Sequence, residues 1–265
     1  MLASRLLSLS DVVAIAHRGG SRIRPENTLA AFDHAATLGV DAFECDVHLS
    51  KDGDAVVIHD FTLERTTNGS GPVSARTVRE LAQVDAGFHF GRDAGYPFRG
   101  QGIGVPTLAE LLDRHPAMPV IVEIKGDEPA TARRVVEVIR AAGAASRVVV
   151  GGFSPVVLAT VRREAPDLPT GAAGNEARSA VRRAMFGLAQ RGEGFQVFHV
   201  PFIWYGRQRF GRRFVRAARR HGRPVQAWIV DDADVMRRLI GWGVTGIISD
   251  RPDVAVEVTR SHGRR

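Results

Sequence analysis

Short apolar runs rich in β-branched residues alternate with helical patterns along nearly the whole chain. The runs have the length of strands that are buried on both faces, and glycine, proline or polar residues separate them from the helical patterns. Strands that alternate with helices form a parallel sheet, because each helix carries the chain back to start the next strand in the same direction. This rhythm therefore predicts an α/β fold.

Eight of the apolar runs are predicted to form the sheet. They are residues 12–16, 42–49, 120–124, 147–153, 170–173, 196–200, 225–230 and 246–249. The predicted helices are 28–38, 130–142, 156–164, 176–190, an arginine-rich segment within 207–223, and 233–242. Eight strand–helix units in 265 residues favour a closed TIM (β/α)8 barrel over an open sheet. A Gly-x-Gly-x-x-Gly turn is missing after the first strand, which argues against a dinucleotide-binding domain.

The segment from Phe61 to Pro106 interrupts this rhythm after the second strand and a short returning strand at 55–58. It is rich in glycine, and its pattern predicts no more than a short helix near residues 77–83. Insertions of this length normally project from the carboxyl ends of barrel strands, where they shape substrate access. We expect a single catalytic barrel domain over residues 1–265 with an inserted segment at about 61–106, which serves as a lid or as plain scaffold.

Charged and titratable residues cluster at the ends of the first three predicted barrel strands and of the returning strand. The set comprises His17, Arg18, Glu44, Asp46, His59, Glu123 and Lys125. Side chains at the carboxyl ends of barrel strands point into the active site, and alternate residues of one strand share a face. The sequence therefore predicts that these side chains converge in one site.

Three of these residues, Glu44, Asp46 and Glu123, are carboxylates that would repel each other strongly at such close range. A divalent cation would hold them together, and oxygen ligands suit Mg²⁺ or Ca²⁺. A single carboxylate at a strand end often only pairs with an arginine. The convergence of three favours a metal site.

The remaining members suit phosphate binding and proton transfer. Lys125 is one of only two lysines in an arginine-rich chain, and its compact ammonium suits a phosphoryl oxygen. Arg18 can bind two phosphate oxygens, and an ion pair with Glu26 is its alternative role. His17 and His59 are the candidate acid and base, since histidine titrates near neutral pH.

Arginine dominates the net charge of +7, and eight arginines fall between residues 207 and 223. We interpret them as a solvated outer helix face; binding to anionic lipid is less favoured, because the arginines are not interleaved with exposed aromatic residues. We predict no nucleic-acid partner. The apolar residues within 174–211 leave core packing, a hydrophobic substrate group and peripheral membrane contact all open.

Cys45 is the only cysteine, so an intramolecular disulfide cannot form, as is usual in the cytoplasm. An apolar stretch long enough to span a membrane is not present in the sequence, and residues 1–10 do not resemble a secretory signal. We expect a cytoplasmic protein without signal peptide or transmembrane helix. The sequence leaves the oligomeric state open.

Several motifs in a fixed order resemble those of the glycerophosphodiester phosphodiesterase family. They are AHRG at 16–19, PENT at 25–28, ECDVHLSKDG at 44–53, VIHD at 57–60, LERTTNG at 63–69, VEIK at 122–125 and GVTGIISDRP at 243–252. The likeness extends over residues 12–254. The family commonly has Trp-Thr-Val-Asn where this chain has Trp228-Ile229-Val230-Asp231, a difference at the rim of the site.

The resemblance implies a barrel enzyme that hydrolyses glycerophosphodiesters to glycerol 3-phosphate and an alcohol. It assigns Glu44, Asp46 and Glu123 to one divalent cation, Mg²⁺ or Ca²⁺, and His17 and His59 to acid–base catalysis. It assigns Arg18 and Lys125 to the phosphate, and Phe153 and Trp228 to the glycerol or alcohol moiety. Two alternatives stay open: a lysophospholipase D or phosphodiester lyase that acts on lysolipids, and a non-catalytic binding module on the same barrel.

Overall fold

The computed structural model describes residues 3–188, 194–204 and 206–263. Its strands are β1 (Val13–His17), β2 (Ala42–Leu49), β3 (Ala55–Val57), β4 (Val120–Ile124), β5 (Val148–Gly152), β6 (Phe198–Pro201), β7 (Ile203–Trp204), β8 (Arg207–Gln208), β9 (Val225–Trp228) and β10 (Gly246–Ser249). Its helices are α1 (Ala3–Leu6), α2 (Leu29–Leu38), α3 (Val78–Leu81), α4 (Leu108–Arg114), α5 (Pro129–Ala141), α6 (Pro155–Glu164), α7 (Gly174–Met185), α8 (Arg212–Arg220), α9 (Ala233–Trp242) and α10 (Pro252–Gly263).

Seven strands form a parallel sheet in the order β5-β4-β2-β1-β10-β9-β6. β1 lies in the middle and pairs with β10 on one side and β2 on the other. The register aligns His17 with Glu44, and Asp46 with Glu123. The carboxyl ends of β1, β2 and β4 therefore lie side by side, as the barrel prediction requires.

The gap between β5 and β6 is closed by a segment that the sequence predicted as a full strand over 170–173. The structure reduces it to two parallel bridges, from Thr170 to Val150 and from Gly171 to Val197. Small residues in this segment leave room for the side chain of His199, whose Nδ1 would lie 3.0 Å from a Cβ at position 171. The chain thus forms an eight-membered TIM barrel in which one member is too short to count as a strand.

Alternation along the strands separates two apolar layers. Residues of one parity point into the barrel, where Ile15, Ile121, Val149 and Ile248 pack together with Leu6 of α1 beneath the site. Residues of the other parity pack against the surrounding helices in the larger core. All nine predicted site residues have the inward parity or lie in the turns that follow the strands.

Most predicted helices are found within two residues of their predicted ends. α2 begins after Thr28, whose side chain accepts a hydrogen bond from the Ala31 amide, and ends at Gly39 in the left-handed conformation. The helix predicted over 176–190 ends at Met185, and residues 189 and 190 of that prediction lie outside the described residues. The helices α1, α4 and α10 were not predicted.

The inserted segment begins after β3, which pairs antiparallel with β2. It contains α3 and two short 3₁₀ turns, Val73–Ala75 and Arg92–Ala94. Leu63, Val73, Leu81 and Val105 of this segment form a small apolar cluster together with Val56 of β3. Within the described part of the chain, no helix is long and apolar enough to cross a membrane.

Candidate active site

The turn after β1 places the first two site residues. His17 ends the strand, and Arg18, Gly19 and Gly20 follow with φ angles of 52°, 79° and 101°. Gly19 is required there, because a Cβ would lie 2.7 Å from the Cβ of Ala31 at the start of α2. This tight turn directs the imidazole and the guanidinium into the same cavity.

The carboxylates of Glu44, Asp46 and Glu123 meet at this end of the barrel. One oxygen of each lies within 4.8 Å of an oxygen of the other two, which is close enough to share one cation. Burial, followed by the negative charge of Asp46, raises the pKa of Glu44 to about 8. Burial also opposes ionisation of Asp46, but Arg18 and Lys125 outweigh it and lower its pKa.

Two positively charged side chains, those of Lys125 and Arg18, contact these carboxylates. The Lys125 Nζ is 2.8 Å from Asp46 Oδ1 and 2.5 Å from Glu123 Oε1. Burial alone would lower the pKa of Lys125, yet the two carboxylates raise it, so the ammonium stays charged. The Arg18 Nε is 3.0 Å from Asp46 Oδ2, and its Nη1 donates to Glu26 Oε1 at 2.9 Å. The ion pair with Glu26 is therefore present alongside the placement of Arg18 in the site.

Each candidate catalytic histidine has a carboxylate at its Nδ1. The His17 Nδ1 is 2.5 Å from Asp250 Oδ1, and the His59 Nδ1 is 2.6 Å from Asp60 Oδ1. These contacts orient the two rings and leave each Nε2 for the cavity. Burial disfavours the charged form of His17, but Glu44 and Asp250 outweigh it and raise its pKa. Burial, together with Arg18 and Lys125, lowers the pKa of His59.

Arg65, at the start of the insertion, connects the partners of His59 and Arg18. It donates to both oxygens of Asp60, at 2.5 Å and 3.1 Å, and to both oxygens of Glu26, at 2.8 Å and 2.7 Å. Since Asp60 contacts His59 and Glu26 contacts Arg18, one network of ion pairs links both rims of the cavity. The network restricts the rotamers of the side chains that line the cavity.

Asn27 holds the carboxylate of Asp46 in place. Its Nδ2 donates to Asp46 Oδ2 at 2.8 Å, and its Oδ1 accepts from the Asp46 amide at 3.3 Å. Asn27 holds a positive φ of 57°, which asparagine tolerates better than most residues. This contact leaves Asp46 Oδ1 to Lys125.

The predicted site residues line one cavity of about 240 Å³. They are His17, Arg18, Glu44, Asp46, His59, Glu123, Lys125, Phe153 and Trp228. Phe153 and Trp228 contact each other edge to face with ring centroids 5.9 Å apart, and they line both this cavity and a second one of about 640 Å³. The seven side chains that the sequence predicted to converge all line this cavity, together with the two aromatic residues that the resemblance assigned. The roles of all nine stay predictions.

Sequence reasoning did not identify Asp250, Asp60, Asn27, Arg65 or His199 as members of the site. His199 lines both cavities from β6, and burial lowers its pKa to about 4. The strand-end rule that identified Glu44 also applies to Asp60 and Asp250, which directly follow strands or their turns. Arg65 carries no such signal, because it lies in an irregular segment.

Comparison with known proteins agrees with this geometry. The model of the glycerophosphoryl diester phosphodiesterase family matches residues 17–254. A glycerophosphodiester phosphodiesterase of Caldanaerobacter subterraneus subsp. tengcongensis is 34% identical over 256 residues, which cover 95% of this chain and 99% of that protein. One of Bacillus subtilis is 29% identical and matches 97% of this chain and 89% of its own length.

Solved structures agree as well. A glycerophosphodiester phosphodiesterase of Agrobacterium tumefaciens is 30% identical with a TM-score of 0.73, covering 94% of this chain and 99% of its own. An Oleispira antarctica phosphodiesterase, solved with the product sn-glycerol-3-phosphate, is 27% identical with a TM-score of 0.73, covering 93% and 96%. This chain therefore belongs to the glycerophosphoryl diester phosphodiesterase family.

Proposed function

We propose that the protein hydrolyses glycerophosphodiesters to glycerol 3-phosphate and an alcohol, with the help of one divalent cation. The observation that carries this proposal is the convergence of three carboxylates, two cationic side chains and two oriented histidines in one cavity. Each group has a use in phosphodiester cleavage, and the set as a whole suits few other reactions. The family membership supports the same activity.

The donor set fits a divalent cation. Glu44, Asp46 and Glu123 offer only oxygen ligands, which suit Mg²⁺ and Ca²⁺. The pKa of Glu44, which burial and Asp46 raise to about 8, indicates an excess of buried negative charge that a cation would relieve. When bound, such an ion polarises a phosphoryl oxygen and stabilises the charge that develops there.

Arg18 and Lys125 bind the phosphate in this proposal. Their positive charges are maintained by Asp46, so both stay available to the non-bridging oxygens. Arg18 would bind in a forked geometry and Lys125 as a point charge. Phe153 and Trp228 then pack against the glycerol or alcohol moiety at the border between the two cavities.

His17 and His59 move the protons. One imidazole accepts the proton of the attacking hydroxyl, and the other donates a proton to the oxygen of the departing alcohol. Asp250 and Asp60 hold the two rings by their Nδ1 atoms, so that Nε2 carries out each transfer. Such positioned acid–base catalysis contributes about 10²- to 10⁴-fold in rate.

Two routes satisfy this arrangement. The 2-hydroxyl of the substrate's glycerol can attack phosphorus, release the alcohol and form a cyclic phosphate that water then opens. Alternatively, water attacks phosphorus directly. Substrates that lack the 2-hydroxyl separate these routes, since undiminished turnover of them would rule out the cyclic intermediate.

The activity is tested by the release of glycerol 3-phosphate from a panel of glycerophosphodiesters. The protein is treated with a chelator and then supplied with Mg²⁺ or Ca²⁺. We expect the chelator to abolish release and one of these ions to restore it, which would also identify the preferred metal. Full activity in excess chelator, or release of the phosphorylated alcohol in place of glycerol 3-phosphate, would contradict the proposal.

Substitution of the two histidines tests their roles. His17→Gln and His59→Gln are each expected to lower kcat by about 10²- to 10⁴-fold. His89→Gln serves as the control, because His89 is an exposed histidine of the insertion outside the cavity. Unchanged turnover in either of the first two variants would remove that residue from the mechanism.

The larger cavity favours a second candidate function on the same site. It has a volume of about 640 Å³, shares Phe153 and Trp228 with the smaller cavity, and has apolar walls from Ala177, Val181 and Phe210. A glycerol moiety that carries an acyl chain would fit there, which corresponds to a lysophospholipase D or a phosphodiester lyase that acts on lysolipids. Lysophosphatidylcholine distinguishes them, because the first releases lysophosphatidic acid and the second a cyclic phosphate.

A further inference from the structure

Positive charge is concentrated in one stretch of the chain. Residues 177–230 contain 12 of the 36 basic residues, all arginines, but only one of the 29 acidic residues, Glu193. The net charge of this stretch is therefore +11, whereas the rest of the chain has a net charge of −4. Such a division is far from the mixed surface charge of an ordinary soluble domain.

Eight of these arginines lie in two neighbouring helices, α7 and α8, which contact each other. α8 buries Phe214, Val215, Ala217 and Ala218 against the barrel and exposes its arginines. The exposed arginines of both helices are Arg178, Arg182, Arg212, Arg213, Arg216 and Arg220. Among the described residues, none of these six forms an ion pair with a carboxylate. Their charge is directed to solvent.

Large apolar side chains are exposed next to these arginines. Met185, Phe186 and Leu188, at the end of α7, have exposed fractions of 64%, 75% and 52%. Ile203, in the hairpin of β7 and β8, is 52% exposed beside the exposed Arg207. Scattered apolar residues on a surface are normal, but three within the four positions 185–188, shortly after Arg182 and Arg183, form a patch. Between residues 207 and 223, Phe210 and Phe214 are buried, as we expected; the exposed aromatic residue is Phe186, next to the arginines of α7.

The larger cavity lies between α7 and the residues that flank this hairpin. Its wall includes Arg178 and Arg182 from α7, and Pro201, Arg209 and Phe210 from around the hairpin. At its inner end it reaches Glu123 of the carboxylate cluster. The basic and apolar surface and the catalytic cavity are therefore continuous.

We propose that the outer faces of α7 and α8, residues 185–188 and the β7–β8 hairpin, together called the α7–α8 surface, bind to an anionic phospholipid bilayer. The arginines attract the negatively charged headgroups, and Phe186 with its neighbours enters the boundary of the acyl chains. Methionine, leucine and isoleucine cannot stack on bases, so a nucleic acid would leave most of the apolar patch unused. A lipid bilayer can bind both the arginines, through its headgroups, and the exposed apolar side chains.

Vesicle binding tests this proposal without any turnover, so its outcome does not depend on the proposed reaction. The protein is floated with large unilamellar vesicles of phosphatidylcholine alone or with about a third phosphatidylglycerol. We expect binding to the anionic vesicles only. The triple variant Arg212→Gln, Arg213→Gln, Arg216→Gln should partition about 100-fold more weakly, which is about 1 kcal/mol per arginine. Phe186→Ser should lose about ten-fold.

Matched controls separate a specific surface from general charge attraction. The triple variant Arg79→Gln, Arg92→Gln, Arg133→Gln removes the same charge from exposed arginines of α3, a 3₁₀ turn and α5. Phe61→Ser removes an equally exposed aromatic residue of the insertion. Both controls should bind as the unchanged protein does. Equal losses in test and control variants, no binding to anionic vesicles, or tighter binding to a single-stranded oligonucleotide would overturn the proposal.

Discussion

At the residue scale, the site depends on contacts that hold its titratable groups in one orientation. His17 contacts Asp250 at the end of the neighbouring strand β10, although the two residues are 233 positions apart in the sequence. A carboxylate at Nδ1 fixes the tautomer and the direction of the ring, and it stabilises the charged imidazole. Asp250 is therefore a positioning residue for His17, and its loss should affect turnover more than substrate binding.

Asp250→Asn is predicted to lower kcat by about ten- to 100-fold, with a much smaller change in KM. The amide can keep the contact but cannot stabilise a protonated His17, so the loss should be smaller than that of His17→Gln. Steady-state kinetics on a soluble glycerophosphodiester measure both parameters. Asp253→Asn is the control, because that carboxylate pairs with Arg251 outside the site. A change confined to KM would assign Asp250 to substrate binding.

His199 is a second residue whose surroundings matter, because it is a buried histidine with a strongly lowered pKa. It lies opposite Gln226 in the register of β6 and β9, and among the described residues its Nε2 has no hydrogen-bond partner. Burial holds its pKa at about 4, well below the usual value of 6.5. In the unfolded chain the same imidazole binds a proton near pH 6.5.

The folded protein should therefore lose stability as the pH falls from about 6.5 to about 4, because the unfolded state binds the proton first. The contribution of His199 to the free energy of unfolding is fully present above pH 6.5, and the loss at pH 4 is up to about 3 kcal/mol. Denaturant unfolding of the unchanged protein and His199→Gln at several pH values measures the difference. Parallel pH dependences of the two proteins would show that His199 does not contribute.

The residues that the sequence predicted and those that it missed differ in a physical way. Alternation along a strand fixes which side chains point into the barrel, so Glu44, Asp46 and Glu123 could be assigned from their positions alone. Pairings such as His17 with Asp250 depend on how distant strand ends meet. A single sequence carries no signal for that choice, since any carboxylate at the same end is an equally good partner.

At the element scale, closure of the barrel depends on two glycines. Gly151 of β5 and Gly171 of the bridging segment flank the ring of His199, and a Cβ at either position would lie 3.4 Å or 3.0 Å from its Nδ1. A side chain at position 171 would push against an imidazole that the barrel interior already confines. The bridging segment is thus shorter than a full strand, and its glycine leaves space for the ring of His199.

Gly171→Ala is predicted to destabilise the protein by about 1–3 kcal/mol through overpacking. Gly241→Ala is the matched control: Gly241 is exposed within α9 and nothing lies within 4 Å of its added Cβ. Alanine there should stabilise the protein by about 0.5–1 kcal/mol, because glycine is the poorer helix former. Denaturant unfolding measures both changes. A destabilisation by Gly241→Ala as large as that by Gly171→Ala would contradict the packing explanation.

Elements with strong periodicity could be predicted, and those that depend on tertiary contacts could not. β4, α9 and β10 lie where their patterns place them. α4 has only seven residues and is held by Leu108, Leu111 and Leu112 in the core. Helices of that length are stabilised by packing rather than by their own sequence. The sequence predicted a full strand over 170–173, but only residues 170 and 171 form bridges. The length of this element also depends on tertiary contacts.

At the scale of the whole molecule, the charges divide into two regions of opposite kind. A cluster of three carboxylates, Glu44, Asp46 and Glu123, lies in the barrel mouth. The basic excess lies outside, on the α7–α8 surface. The composition alone reports only the net charge of +7 and hides both regions. Fold topology, which the sequence predicts well, was needed to separate them.

Convergence of the three carboxylates makes the global stability of the protein depend on the cation. A ligand that binds the folded state only adds about 2.7 kcal/mol at 100 times its Kd. For a chain of this size, that corresponds to an increase of about 5–10 °C in Tm. We predict this shift when Mg²⁺ or Ca²⁺ replaces a chelator at matched ionic strength, measured by differential scanning calorimetry.

Glu123→Gln should lose most of the shift, because it removes one charged ligand and changes the volume little. Glu137→Gln, an exposed carboxylate of α5, should keep the full shift, which excludes a general effect of divalent ions on surface charge. This measurement is independent of catalysis, so it tests the metal site even if the substrate differs from the one proposed. Equal shifts in the two variants would mean that the cation binds elsewhere, and the three carboxylates would then require Lys125 and Arg18 alone as their counter-charges.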